Sequence, residues 1–323
     1  MNIRVNRKVL FMMKSHGHRF ITPDRLAPGG RIGIVAPSSA FEDAAFRRGV
    51  DVLREMGFFP VIPEALFRKK RYLAGEDAHR AHLVNGMFAD DDIHAILCAR
   101  GGYGAIRVLP HLDWETICGH PKIFMGFSDI SVLLAALNKR CGLVTFHGPV
   151  VTSLAISDSE TKASLKAALS SIVPLTYTLE NPIVIRPGSG LGPVTGGNLC
   201  TLCHLAGTAF APETAGRILF LEDCGELPYK IDRMLTHLKM CGWFDTLAGV
   251  MIGSFERCGE ASTILEILTE VFDGAPFPVL GGFDIGHGAR NLTLPMGIEA
   301  VLDADRGQLT FCEPATAVGC GGS

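Results

Sequence analysis

The sequence predicts an α/β protein: a parallel sheet covered on both faces by helices, then a second part that ends in antiparallel hairpins. Three observations predict it. Strand and helix patterns alternate from Arg31 to Pro149, the spacing of βαβ units. Residues 181–197 are crowded with proline and glycine (Pro182, Pro187, Gly188, Gly190, Gly192, Pro193), as a domain boundary would be. From Pro278 onward only short strand-like pieces remain, separated by Gly, Asn and Asp. A length of 323 residues fits about two domains.

Taken in order, Arg31–Ala36 is a first strand stopped by Pro37-Ser38-Ser39. Residues 41–56 carry a helical apolar pattern closed by Gly57. Phe59–Ile62 is a second strand, Glu76–Met87 a second helix and Ile93–Cys98 a third strand. That strand runs into Arg100-Gly101-Gly102-Tyr103-Gly104, and Ala105–Leu109 is a short helical piece. Ile123–Phe127 is an apolar run suited to a strand buried on both faces. It stops at Ser128-Asp129. The helix that follows is apolar all round, with Lys139 and Arg140 in its last turn and Gly142 just past it. Val144–Pro149 closes this half, and the Ala-rich helix Ser157–Ser171 is a connector. In the second half, Arg217–Asp223 is an apolar strand ending in acids. Pro228 opens an amphipathic helix ended by Gly242. Gly249–Phe255 is a strand and Ile264–Phe272 a helix.

Hydrophobic residues at 47% and charged residues at 20% are a globular balance. A net charge of −3 with mixed signs favours no nucleic-acid partner. No apolar run approaches the ~20 residues of a membrane helix. The N-terminal stretch lacks a cleavage site after its short apolar core, so a signal peptide is not expected. Residues 1–28 are expected to be a loose extension. The ten cysteines lie mostly in or beside apolar runs and, without an export signal, are expected to be reduced in the cytoplasm.

Ser128 sits where a strand turns sharply into a helix, which holds a hydroxyl above the sheet with backbone N–H groups near it. The simpler alternative is that Ser128 or Asp129 only caps the helix. Ser38, the Gly101-Gly102 loop and Ser128 all fall at the carboxyl edge of the strands, where ligands bind in such sheets. A serine nucleophile needs a base and an orienting acid. His287, between Gly286 and Gly288, can reach into a cleft; His147 competes with it, with a structural or substrate-facing role favoured. Glu222 ends an apolar strand, where a carboxylate needs a partner: a histidine, or an arginine such as Arg233 in a structural ion pair. The chain order serine, acid, histidine is that of α/β-hydrolases, but Gly126-Phe127-Ser128-Asp129-Ile130 is not their Gly-x-Ser-x-Gly elbow. The glycine-rich loop could hold an oxyanion or grip a substrate carboxylate, or be only a tight turn. It is not a dinucleotide fingerprint. Cys200-Thr-Leu-Cys203-His204 matches a haem-attachment pattern but suits a buried helix better, and no second Cys/His pair is spaced for zinc.

Several stretches point the same way. Arg31–Ser38, Arg100–Gly104, Gly126–Asp129, His147–Pro149, Thr195–Leu199, Leu221–Asp223 with Glu226–Tyr229 and Asp232-Arg233, and Gly286–Gly288 with Asn291–Pro295 occur in that order. Together they resemble the LD-carboxypeptidase family of serine peptidases, over roughly residues 30 to 312. The resemblance implies a flavodoxin-like N-terminal domain (29–155), a connector (156–190) and a smaller β-rich α/β C-terminal domain (191–323). It implies Ser128 as nucleophile, His287 as base and Glu222 as orienting acid. Asp129 and Gly102, or Gly101, are the expected oxyanion donors. No metal or cofactor is expected. The implied substrate is a cytoplasmic murein tetrapeptide that loses its terminal D-alanine, and the implied assembly a homodimer. Related members act on a peptidyl nucleotide antibiotic instead. A non-catalytic binding protein on the same scaffold would leave Glu222 and His287 too far apart to hydrogen-bond.

Overall fold

A computed structural model of the chain describes residues 20–318. The first sheet holds β1 (Arg31–Val35), β2 (Phe59–Val61), β3 (Ala95–Cys98), β4 (Ile123–Gly126), β5 (Thr145–His147) and β12 (Leu294–Met296). Their order is β12-β5-β4-β3-β1-β2. The first five pair in parallel in the flavodoxin-like order, and β12 adds an antiparallel edge from far along the chain. β3 and β4 lie in the middle and are buried at every residue, which is why their sequences are unbroken apolar runs.

Helices α1 (Asp43–Glu55), α2 (Asp77–Ala89), α3 (Trp114–Gly119) and α4 (Ser131–Cys141) connect these strands. Ser38, the glycine-rich loop 101–104, Ser128 and His147 lie at or just past the carboxyl ends of β1, β3, β4 and β5. α5 (Val151–Leu154) and α6 (Ser159–Ser170) lead out of this half.

The second sheet has eight strands in the order β6-β14-β13-β8-β9-β10-β11-β7. They are β6 (Thr176–Thr178), β7 (Ile183–Arg186), β8 (Ser189–Asn198), β9 (Ile218–Cys224), β10 (Gly249–Glu256), β11 (Val279–Gly281), β13 (Glu299–Asp303) and β14 (Gln308–Phe311). Its centre, β8 to β11, is parallel. β13, β14 and β6 extend it antiparallel on one side and β7 on the other. The hairpins expected after Pro278 are therefore confined to β13–β14. Helix α8 (Pro228–Met240) follows β9, and β11 follows helix α9 (Ala261–Val271) and returns in parallel, as a crossover helix permits. Segment 156–190 supplies two strands of this sheet.

The two halves share their core through α4, buried from Ser131 to Asn138 and packed against β8 and α7 (Leu199–Leu205). A helix enclosed by sheet and helices needs apolar residues all round, which is what its sequence shows.

Two expectations are corrected. Residues 20–28 are not loose: Ile21 N–H donates to Gly142 O at 2.7 Å, Leu26 N–H to Leu169 O at 2.7 Å, and the Leu26 side chain is fully buried. Burial of Leu26, with backbone bonds from Ile21, Arg25 and Leu26 to the folded chain, offsets part of the chain freedom the segment loses. The rest of that extension lies outside the described residues. Nor are all thiols free: Cys118 and Cys141 form a disulfide, because α3 packs its Cys118 end against the last turn of α4.

Candidate active site

The site is built where β3, β4 and β5 end. β4 stops at Gly126, a turn of 3-10 helix spans Ser128–Ile130, and α4 begins at Ser131. Ser128 has φ +65, a left-handed conformation that costs a non-glycine residue about 1–3 kcal/mol. The surrounding packing holds it. Phe127 and Asp129 on either side are buried, while Ser128 keeps partial access to solvent. This is more than a helix cap: no side-chain cap bond is made here, and Ser128 Oγ has no hydrogen-bond partner among the described residues.

The glycine-rich loop after β3 lies against this turn. A Cβ on Gly101 would stand 2.9 Å from Ser128 Cβ and 3.2 Å from its Oγ, so only glycine allows the approach. Next to it, Gly102 has φ +108 and abuts Ser39. The loop is clamped from three sides. Tyr103 N–H donates to Ser39 Oγ at 3.0 Å. Asp129 Oδ2 accepts from Ser38 Oγ at 2.5 Å and from Ala105 N–H at 2.8 Å. The fully buried Arg80 donates from Nη1 to Gly104 O at 2.9 Å and to Pro37 O, and pairs with Asp77. Burial raises the Asp129 carboxyl above its ordinary range, against the bonds from Ser38 and Ala105 that lower it. Nothing local in the sequence marks Arg80 or Ser38 as a loop clamp: an arginine inside a helix carries no sign that it is buried.

Gly101 thus lies against Ser128, at the start of the Ser128–Ile130 turn. N–H groups in the first turn of a helix have no partner within the helix and are available to an anion.

The second sheet supplies a carboxylate and an imidazole. Glu222 lies at the carboxyl end of β9 opposite Asn198 of β8 and is fully buried. His287 Nδ1 and Glu222 Oε2 hydrogen-bond at 2.7 Å, with His287 about one-fifth exposed. This bond contradicts the arrangement expected of a non-catalytic scaffold. Arg233 does not pair with Glu222; its guanidinium lies over the Tyr229 ring, 5.7 Å from the centroid. Adjacent strand residues point to opposite faces, so neighbouring Asp223 is turned away. Its carboxylate accepts from Cys200 N–H at 2.8 Å and Asn198 Nδ2 at 3.1 Å, which fixes the start of α7. Burial pushes its pKa up to about 6.

The glycine before His287 is required. Gly286 has φ +122, and a Cβ there would stand 2.7 Å from Glu222 Oε2. Gly286 N–H donates to Asn291 Oδ1 at 2.9 Å and Gly288 N–H to Ser254 Oγ at 3.1 Å. Burial pulls the pKa of His287 down, but the Glu222 hydrogen bond and charge outweigh it, and the net shift is upward. The ring of Phe127, next to Ser128, packs on the His287 ring with centroids 4.8 Å apart. Serine turn and histidine loop therefore share one wall.

His147 ends β5 in register with Gly126 of β4 and is fully buried. Cys200 and Cys203 sit on α7 with free thiols pushed up to about 11 and about 12, mainly by burial. Among the described residues, no group of three or more His, Cys, Asp or Glu side chains is placed to hold a metal ion. Among them, too, no helix is long and apolar enough to cross a membrane.

Two family models match this chain: the LD-carboxypeptidase N-terminal domain over residues 32–148 and the LD-carboxypeptidase C-terminal domain over residues 191–302. A Bacillus subtilis protein named "probable murein peptide carboxypeptidase" is 38% identical over 87% of this chain and 91% of its own length. The chain belongs to the LD-carboxypeptidase family. Its enzymatic class is that of the serine-type LD-carboxypeptidases. The Pseudomonas aeruginosa murein tetrapeptide carboxypeptidase is 34% identical over 86% of this chain and 94% of that protein. Among solved structures, MccF in complex with glutamyl sulfamoyl guanosine superposes with a TM-score of 0.86 at 30% identity. That match covers 92% of this chain and 99% of the other. Of the two LD-carboxypeptidase segments, the first carries Ser128 and His147 and the second Glu222 and His287.

Proposed function

We propose that this LD-carboxypeptidase hydrolyses the amide before a C-terminal D-alanine in murein tetrapeptides, with Ser128 as nucleophile, His287 as base and Glu222 as orienting acid. The observation that carries the proposal is the 2.7 Å bond from His287 to buried Glu222, on the wall shared with the strained Ser128 turn. The kinship to murein peptide carboxypeptidases supports the substrate class.

Neutral His287 takes the Ser128 proton through Nε2 as Oγ attacks the scissile carbonyl. Glu222 holds Nδ1–H, and so the tautomer, and stabilises the imidazolium that forms. The backbone N–H groups of Asp129 and Gly102, with Gly101 beside them, receive the oxyanion, each donor being worth about 3–4 kcal/mol. His287 then protonates the leaving amine, D-alanine departs, and water delivered through the same imidazole frees the shortened peptide. The Ser128–His287 hydrogen bond forms as substrate enters; such bonds are often long before a ligand is bound. A cytoplasmic location and a homodimer follow from the family resemblance and belong to the proposal.

Mass spectrometry of the protein incubated with murein tetrapeptide tests this: one alanine is lost. A tetrapeptide left intact by folded protein overturns it.

A second reading has one observation in its favour. Tyr103 on the glycine-rich loop and Tyr72 beside it are about half exposed, with ring centroids 5.8 Å apart. Exposed aromatic faces at a site mouth suit a nucleobase, and the likeness to MccF with a sulfamoyl nucleoside points the same way. Parallel assays with a peptidyl nucleotide and the tetrapeptide separate the two.

A further inference from the structure

Behind the His287–Glu222 pair lies a second histidine that the mechanism above leaves idle. His147 is fully buried, and neither of its ring nitrogens has a hydrogen-bond partner. Such a ring is costly to bury. The carboxylate it faces is in the same condition: Glu222 Oε2 is bonded to His287, while Oε1 is buried without a partner. His147 Nε2 and Glu222 Oε1 stand 4.0 Å apart. That is roughly 1 Å beyond an ordinary hydrogen bond. One unsatisfied donor and one unsatisfied acceptor thus face each other across the oxygen opposite the catalytic one.

We infer that His147 is a positioning residue: its Nε2–H donates to Glu222 Oε1, aiming the carboxylate so that Oε2 stays on His287. The inference rests on the triad reading given above. The ring is suited to it. It is wedged between Phe127, 6.0 Å away by centroids, and Phe220, at 5.0 Å, and cannot swing out. His147 is tied to the nucleophile strand through its register with Gly126 and to β12 through its register with Leu294. Burial holds its pKa down at about 4, so the ring is neutral at physiological pH, with one N–H to give and no charge to set against His287. The 4.0 Å contact is therefore a dipole facing an anion, not an ion pair.

The geometry also makes sense of timing. When His287 becomes an imidazolium, Glu222 must remain anionic in a site without water access to Oε1. A neutral donor on Oε1 stabilises the anion without competing for the proton. Removing that donor raises the proton affinity of the coupled His287–Glu222 pair. The titratable groups that face His147 are Glu222 on β9 and His287 on the loop after β11. Phe127 and Phe220, the rings that flank it, are uncharged.

The test compares wild type, His147→Phe, His147→Gln and Ser128→Ala on the tetrapeptide across pH. His147→Phe is expected to lower kcat about tenfold to a hundredfold with KM unchanged, the loss of one hydrogen bond to a charged group. It should also move the acid limb of kcat/KM to higher pH. His147→Gln, whose side-chain amide can donate to Oε1, should recover part of both. A merely structural residue would lower thermal stability and leave the limb in place. Wild-type activity and an unmoved limb in both His147 variants, with Ser128→Ala inactive, overturn this inference alone. Activity retained by Ser128→Ala overturns the triad itself. Nitrogen-15 NMR of the wild-type histidines decides the matter if His147→Phe does not fold. Protonated Nε2 and bare Nδ1 on His147 support the inference, and the opposite tautomer ends it.

Discussion

The two sides of the site are held by different physics. The side of the proposed nucleophile is one contiguous stretch, Ile123–Cys141, with the glycine-rich loop pressed against it. It is held by strain and close packing: φ +65 at Ser128, a glycine against its Cβ, and a short buried bond from Ser38 to Asp129. The side of the proposed acid–base pair joins residues 65 apart, built on the other sheet. It is held by electrostatics: one buried carboxylate between two histidines, the first shifted up by it and the second shifted down by burial. Rigid placement suits an attacking atom, whereas a base must be tuned.

The largest effect expected is on the rigid side. Ser128→Ala should reduce kcat by about 10⁴-fold or more while the thermal midpoint stays within a few degrees, measured by tetrapeptide turnover and calorimetry. On the tuned side, Glu222→Gln should cost about 10³–10⁴-fold in kcat through loss of the tautomer lock. In wild type, kcat/KM should climb as pH rises through a His287 pKa above the ordinary 6.5. In Glu222→Gln that limb should move to lower pH, because the charge that raises the pKa is gone. A limb that does not move would show that Glu222 does not tune His287.

Stability against pH separates the two histidines by sign. His147, depressed to about 4 in the folded state, contributes stability above its unfolded pKa that is lost as pH falls from 6.5 toward 4. The full loss is on the order of 3 kcal/mol. His287, raised in the folded state, contributes stability present below 6.5 that is lost as pH rises through its folded value. Denaturant unfolding of wild type and His147→Phe between pH 4 and 7 should show the acid slope diminish in the variant.

Gly286→Ala should destabilise the fold by about 1–3 kcal/mol and disturb the Glu222 bond, since its Cβ has no room at φ +122. The smallest effect belongs to Ser38→Ala, which removes one bond to the buried Asp129 carboxyl and should cost about 1–2 kcal/mol.

The nucleophile side was legible in the sequence because its signals are local. An apolar strand, an abrupt serine and a capped apolar helix fall within 20 residues, and the structure has β4, the turn and α4 there. His287 was legible because two glycines flank it, and one of them, Gly286, holds a backbone that other residues cannot follow. The pairing of Glu222 with His287 could be named but not measured, since nothing local tells which of Glu222 and Asp223 faces the cleft. What stayed hidden was decided by distant packing. Leu26 buries itself against the core, β12 crosses into the first sheet, and Cys118 meets Cys141. His147 shows the limit well: its place at the end of an apolar run was legible, but its burial behind Glu222 depends on how two sheets dock.

The most direct test is to map the acyl-enzyme. Protein mixed with excess tetrapeptide is acid-quenched within the first turnover, digested and sequenced by mass spectrometry. A peptidyl ester on Ser128 is the predicted result. An acyl group on another residue, or D-alanine released by Ser128→Ala at the wild-type rate, would contradict the account.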